Sequence, residues 1–162
     1  MLLVSKIKNP TELKRIILGL RRRGKRIVFT NGCFDLLHLG HVIYLEDAKR
    51  KGDILVVGVN RDASVRRLKG KNRPLVKDSD RACVIAGLQS VDFVCLFGED
   101  TPLSLIKLVR PDILVKGADW KNKEIVGKAF VNSYGGKALT IKFIKGRSTT
   151  GLIKKIAKAN SN

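Results

Sequence analysis

No run of this 162-residue chain is apolar for long enough to span a bilayer, so a membrane-spanning helix is not expected. The opening Met1-Leu2-Leu3-Val4 is too short for the apolar heart of a secretion signal, and charge follows at Lys6 and Lys8. Cysteine is scarce. Cys33, Cys83 and Cys95 are odd in number, far apart and form no Cys-x-x-Cys pair. A disulfide framework and a thiolate zinc site are thereby set aside, and a reducing, cytoplasmic setting is expected. Acidic residues are few, 14 against 33 Lys and Arg, which leaves a net charge of +19. Such a surface raises nucleic acid as a partner. Aromatics are few as well, with one Trp and two Tyr, so little is available on which unstacked bases would lie. The basic residues are also scattered, over Arg21-Arg22-Arg23, Lys49-Arg50-Lys51, Arg66-Arg67 and Lys154-Lys155. A basic nucleic-acid-binding protein therefore ranks below an enzyme with small anionic substrates.

What is present is regular alternation. Residues 1–24 read as an N-terminal amphipathic helix, with Asn9 as N-cap, Pro10 at the first helical position, an apolar stripe Leu13, Ile16, Ile17, Leu20, and Gly24 as stop. Strands are expected at 26–30, 54–59, 92–97, 113–116 and 139–144. Helices fall between them at about 39–51, 63–68, 81–88, from 101 to 110, at 125–132 and from Thr150 to Ala159. Apolar strands alternating with amphipathic helices predict an α/β fold, a Rossmann-like doubly wound parallel sheet over 25–159 within a single domain of 1–162. Ligands of such sheets sit beyond the carboxyl ends of the strands. The loops at 30–41, 60–74, 116–120 and 145–150 share that rim and are polar and glycine-rich.

Both histidines of the chain lie in one window, His38-Leu39-Gly40-His41, directly after the first strand. A strand, a glycine-containing turn and a helix start direct free backbone N–H groups and the positive end of a helix dipole toward one point. Two imidazoles three residues apart share a face of that first turn and can donate to a phosphoryl oxygen. The bland alternative is a pair of histidines that cap or pack a helix. The setting, with Gly40 between them, favours phosphate. Cys33 in the same turn raises a thiol nucleophile, but no base-and-orienter set accompanies it, and a small residue filling a tight turn fits better. Asp35 either fixes this loop or caps its own turn. Lys116 and Asp119 close a strand, where two charges argue for ligand contact, with Trp120 as a wall for base or sugar. Arg147-Ser148-Thr149-Thr150 precedes the last helix and suits the β- and γ-phosphates of a nucleotide.

The run Asn31-Gly32-Cys33-Phe34-Asp35-Leu36-Leu37-His38-Leu39-Gly40-His41 resembles the His-x-Gly-His motif of the cytidylyltransferase-like nucleotidyltransferases. The resemblance continues through Asn72-Arg73-Pro74, Val115–Trp120 and Gly146–Gly151, and so covers most of Lys25–Ile156. Within that family, Thr30–Asp35, Arg67–Pro74 and Glu99–Pro102 are similar to the adenylyltransferases that make ADP-heptose. Trp120 is shared instead with the glycerol-3-phosphate branch.

The resemblance implies transfer of AMP from ATP to D-glycero-β-D-manno-heptose 1-phosphate, releasing pyrophosphate, with Mg²⁺ arriving on the triphosphate. The alternative is CTP with glycerol 3-phosphate or a similar polyol phosphate. It further implies His38, His41, Lys49 and Arg147 as catalytic groups. The nucleotide would be held by Thr30, Asn31, Gly32, Cys33, Phe34, Asp35, Gly40, His41, Asn72, Arg73, Lys116, Gly117, Asp119, Arg147, Ser148, Thr149 and Thr150. Asp35, Lys49, Asp119 and Trp120 would meet the acceptor. For Lys49 a solvated helix charge is the competing explanation, and for Asn72-Arg73 a surface turn. A separate sugar kinase and a homodimer complete the expectation.

Overall fold

In the computed structural model, which describes residues 2–117, 125–142 and 146–160, five parallel strands form one sheet. They are β1 (Ile27–Gly32), β2 (Ile54–Asn60), β3 (Phe93–Phe97), β4 (Ile113–Gly117) and β5 (Lys137–Ile141), in the spatial order β3-β2-β1-β4-β5. The helices are α1 (Leu2–Lys6), α2 (Pro10–Arg22), α3 (Leu39–Lys49), α4 (Asp62–Lys69), α5 (Asp78–Ala86), α6 (Leu103–Val109), α7 (Lys128–Asn132) and α8 (Thr149–Ala159).

The strands read as continuous apolar runs because both faces of the sheet are covered. In β1, Val28 faces the layer of α3 and α5 and packs with Leu45, Ala48, Leu55 and Ile85. Its neighbours Ile27 and Phe29 face the opposite layer, where Leu13 and Ile17 of α2, Ile106 of α6 and Val131 of α7 meet Val56 and Leu114. The chain winds outward from β1 through β2 to β3, then crosses back to β4 on the other side of β1. That reversal opens a crevice between the carboxyl ends of β1 and β4, where ligands of doubly wound sheets bind.

The expected single N-terminal helix is two helices. α2 is capped as the sequence indicates, Asn9 Oδ1 accepting from Glu12 N at 2.9 Å and Glu12 Oε2 accepting from Asn9 N at 3.1 Å. Ahead of it the chain is drawn out at Ile7, which bridges to Val94 beside β3, while Lys6 donates to Leu88 O and Val91 O. Pairing with a sheet edge thus breaks the helical continuity. α7 starts at Lys128, not 125, because Gly127 takes φ +88°, a left-handed conformation outside any α-helix. β5 begins at Lys137 and ends at Ile141, earlier than expected; 143–145 lie outside the described residues.

Candidate active site

A cavity of about 750 Å³ opens over the carboxyl ends of β1, β2 and β4. Its floor is the turn from Asn31 to Asp35, and the backbone is left-handed at Phe34 (φ 50°) and again just past the turn at Leu36 (φ 54°). Two non-glycine residues in that region are costly, and the turn is held by partners on every side. Arg81, buried on α5, donates to Cys33 O at 2.5 Å, to Val76 O at 2.9 Å and to Asp62 Oδ1 at 2.7 Å. Asp35 is buried too, and its carboxylate accepts from Arg73 Nε at 2.7 Å and from the backbone N–H groups of Leu75 and Val76. Its carbonyl accepts from Thr149 Oγ1 at 2.7 Å. Asp35 thus locks the phosphate turn to the 73–76 loop and to α8. Its carboxylate is used in that clamp, while the residue itself lines the cavity where a nucleotide and acceptor contact was expected of it.

His38 is the N-cap residue of α3, but its side chain makes no capping bond, so the ring is free to face the cavity. The rings of His38 and His41 stack, with centroids 3.9 Å apart and planes 18° from parallel, and Phe34 meets His41 edge-on at 5.4 Å. Gly40 permits this stack. A Cβ there would stand 3.0 Å from the His38 ring and 3.2 Å from Arg147 Cβ. The Nδ1 atoms of both rings are buried, and among the described residues neither has a hydrogen-bond partner. Buried polar nitrogens in a cavity wall are groups that a ligand can satisfy.

Burial lowers the pKa of both rings; the Arg147 guanidinium adds to the effect on His38, and His38 itself adds to that on His41, which is pushed down to about 4. Both are therefore neutral at pH 7, each able to donate one N–H. The folded state resists a proton that the unfolded chain accepts near 6.5, so stability is full above 6.5 and falls as pH drops toward 4. At pH 5 the expected loss through His41 is about 1 kcal/mol, the linkage value halved because the ring is partly open to solvent. Urea unfolding at pH 7 and pH 5 measures it, and His41→Asn should remove that part of the difference.

Around the rings the groups are cationic or hydroxylic. Lys116, at the end of β4, is buried and donates to Asn31 Oδ1. Arg147 is exposed at the mouth, and Arg73 is tethered by Asp35. Ser148 Oγ caps α8 by accepting from Gly151 N at 3.1 Å, so two of the three hydroxyls at 148–150 have internal partners. Thr150 faces the cavity with none among the described residues. The amino ends of α3 and α8 thus converge on one space, and their dipoles add. Cys33 lines it as well, its thiol pushed up by burial and so kept protonated, as a space-filling residue and not a nucleophile.

The structure brings together His38, His41, Asn31, Gly32, Cys33, Phe34, Asp35, Gly40, Arg73, Lys116, Gly117 and Arg147–Thr150. Three expected residues are elsewhere. Thr30 is fully buried and shares a 2.7 Å hydrogen bond with Tyr44 Oη beneath the cavity floor. Asn72 is exposed outside the cavity. Lys49 sits at the amino ends of the strands, bonded to Asp92 at 2.5 Å and to Asp53 O, because α3 runs antiparallel to β1 and carries its last turn to the opposite rim. Asp119 and Trp120 lie outside the described residues. Sequence reasoning set the 60–74 loop on the rim without singling out Asn60, Leu68 or Lys69, and it passed over Tyr44 and Asp100–Pro102; all of these line the cavity. The visible signal for Asn60 is a polar residue closing an otherwise apolar strand, and for Lys69 a cation three residues before Asn72-Arg73.

A parallel sheet with this crevice and a glycine-containing turn that leads into paired neutral imidazoles is what the nucleotidyltransferases carry. The chain is a member of the cytidylyltransferase-like family, whose model matches residues 29–154. It is 55% identical over 152 residues to the bifunctional protein HldE of Geotalea uraniireducens, and 54% identical over 150 residues to that of a Nitratiruptor species. These matches take in 94% and 93% of the chain, but the chain spans about a third of the length of these curated relatives (31% and 32%). Among solved structures it is similar to the lipopolysaccharide core biosynthesis protein from Thermoplasma volcanium. The TM-score is 0.63 at 35% identity, over 76% of this chain and 100% of that one. The pantoate-beta-alanine ligase from Francisella tularensis shares the fold at 15% identity, with a TM-score of 0.63 over 96% of this chain and 76% of that one.

Proposed function

We propose that the protein transfers AMP from ATP to a sugar 1-phosphate, with D-glycero-β-D-manno-heptose 1-phosphate as acceptor, giving ADP-heptose and pyrophosphate. The observation that carries the chemistry is the stacked, neutral His38–His41 pair, set where two helix amino ends converge in a cation-lined cavity. An oxygen of the acceptor phosphate attacks the α-phosphorus. The bond to the bridging oxygen breaks, and pyrophosphate departs with the electron pair. The nucleophile is already an anion, so positioning and charge stabilisation are what remain for the protein to supply. The two imidazole N–H groups donate to the α-phosphate and the bridging oxygen, where charge grows. Arg147, Thr150 and the α8 amino end receive the outer phosphates, and Lys116 steadies Asn31 beneath them.

The donor set here is cations, hydroxyls and N–H groups; of the two carboxylates on the lining, that of Asp35 is occupied by its clamp and that of Asp100 is paired with Arg67. This fits a Mg²⁺ ion held by the triphosphate's own oxygens, where it would neutralise charge on the departing pyrophosphate. The relatives named for lipopolysaccharide core biosynthesis and HldE support a sugar-phosphate acceptor, and the Thr30–Asp35 and Arg67–Pro74 wording favours the heptose. A phosphorylating enzyme must then supply the sugar 1-phosphate.

The test is pyrophosphate release with Mg²⁺ and ATP or CTP, each against the heptose 1-phosphate and glycerol 3-phosphate. Release with ATP and the heptose alone is expected. Release with CTP and glycerol 3-phosphate would overturn the substrates and keep the mechanism, and no release from any pair would overturn both.

A further inference from the structure

The histidine pair and its partners fill only part of the cavity. Asn31, Lys116, Gly117 and Arg147 stand over β1, β4 and α8, whereas Asn60, Leu68, Lys69 and Asp100–Pro102 stand over β2, β3 and the end of α4, the Asp100 carboxylate being paired with Arg67. Given the sheet order, the second group lies on the far side of β1 from the first. We infer that this second half is the acceptor subsite, and that the side-chain oxygen of Asn60 reads a hydroxyl on the carbon chain of a polyhydroxylated phosphate. This inference rests on the function proposed above.

Asn60 is 4% exposed, at the carboxyl end of β2. Its side-chain orientation follows from proton counting. Ser64 Oγ donates its only proton to Glu99 O at 3.0 Å, so toward Asn60 it can only accept. The Asn60 amide must therefore present Nδ2 to Ser64, at 3.0 Å. Its oxygen is turned away from that bond and has no hydrogen-bond partner among the described residues, in a side chain that forms cavity wall. An amide oxygen locked by a two-bond relay is a rigid acceptor, and its complement is an O–H donor. A phosphate, which has no donor at neutral pH, does not fit it; a sugar hydroxyl does. Beside it Leu68 offers apolar surface for a carbon chain and Lys69 offers a cation for the acceptor's phosphate.

The experiment compares Asn60→Ala, Asn60→Asp and Ser64→Ala with the wild type in steady-state pyrophosphate release, varying heptose 1-phosphate at saturating ATP, and in ATP binding by calorimetry. Asn60→Ala should raise the acceptor KM about tenfold, the value of one neutral hydrogen bond, with ATP affinity within about twofold of wild type. Asn60→Asp meets Ser64 acceptor to acceptor and sets a negative charge beside the acceptor's phosphate, so it should raise the acceptor KM at least as far as Asn60→Ala. Ser64→Ala leaves the Asn60 oxygen in place and should hold the acceptor KM within about threefold of wild type; if it is as impaired as Asn60→Ala, the residue acts through Ser64 as scaffold and the inference fails. It also fails if Asn60→Ala weakens ATP and leaves the acceptor KM alone. A wild type that neither turns over nor binds any sugar phosphate overturns the proposed function and this inference with it. An active wild type with an unchanged Asn60→Ala variant overturns this inference alone.

Discussion

Replacement of either His38 or His41 by alanine is expected to slow pyrophosphate release at least about a hundredfold, with the fold intact. The magnitudes separate chemistry from folding. A hundredfold loss is roughly 2.7 kcal/mol in the barrier. Truncating His41 also removes its stack on His38 and its edge contact with Phe34, worth about 1 kcal/mol of stability and some 3 °C in midpoint for a chain of this size. A domain stable by the usual 5 kcal/mol or more stays folded after such a loss, so reduced folded population cannot account for the rate. Because both rings are neutral, what they supply is an N–H donor, and His41→Gln should recover part of the rate where His41→Ala recovers none. Steady-state rates beside thermal melts of the three variants check this. Alanine variants that turn over within about fivefold of wild type would show the pair to be packing, not catalysis.

The strand, turn and helix that build the candidate site around the histidines could be read in the chain because each is encoded locally. Ile27–Phe29 are apolar on both faces, Gly40 leaves room for the stacked rings, and Ser148 and Asn9 cap the helices that follow them. What could not be read was direction. Lys49 lies in the helix that starts at the histidines, in a basic run, and nothing local distinguishes it from a phosphate ligand. Eleven residues at 1.5 Å each carry the end of α3 about 16 Å away, to the rim where Asp53 and Asp92 wait. Thr30 stands one residue before Asn31 on β1, and strand alternation sends their side chains to opposite faces, one to Tyr44 and one to Lys116. The rim position of the 60–74 loop was legible from the strand ends, but that Asn60, Lys69 and Thr101 line one cavity with the histidines follows from the winding order of the sheet, a property of the assembled topology and of no single segment.

Asp35→Ala should be the most damaging substitution outside the histidine pair, costing about 3 kcal/mol of stability and most of the activity together. The buried carboxylate accepts from two backbone N–H groups and from Arg73, whose side chain is 19% exposed. Removing it leaves three donors without their acceptor. Arg73 can turn to water, which keeps the cost toward the lower end for a broken buried ion pair. Leu75 N and Val76 N cannot do so without the loop leaving the phosphate turn, and that movement takes Arg73 out of the cavity wall. Asp35→Asn divides the effect. Its one oxygen still serves the backbone donors, while its amide confronts the Arg73 guanidinium donor to donor. The asparagine variant is therefore expected to keep the loop in place and lose about half the stability that the alanine variant loses. Denaturant melts give the energies, and hydrogen exchange at 73–76 reports the loop: rapid exchange in Asp35→Ala, near-native protection in Asp35→Asn. If Asp35→Ala costs under about 1 kcal/mol and exchange at 73–76 is unchanged, Arg81 alone, through Cys33 O and Val76 O, is enough to hold the two loops together.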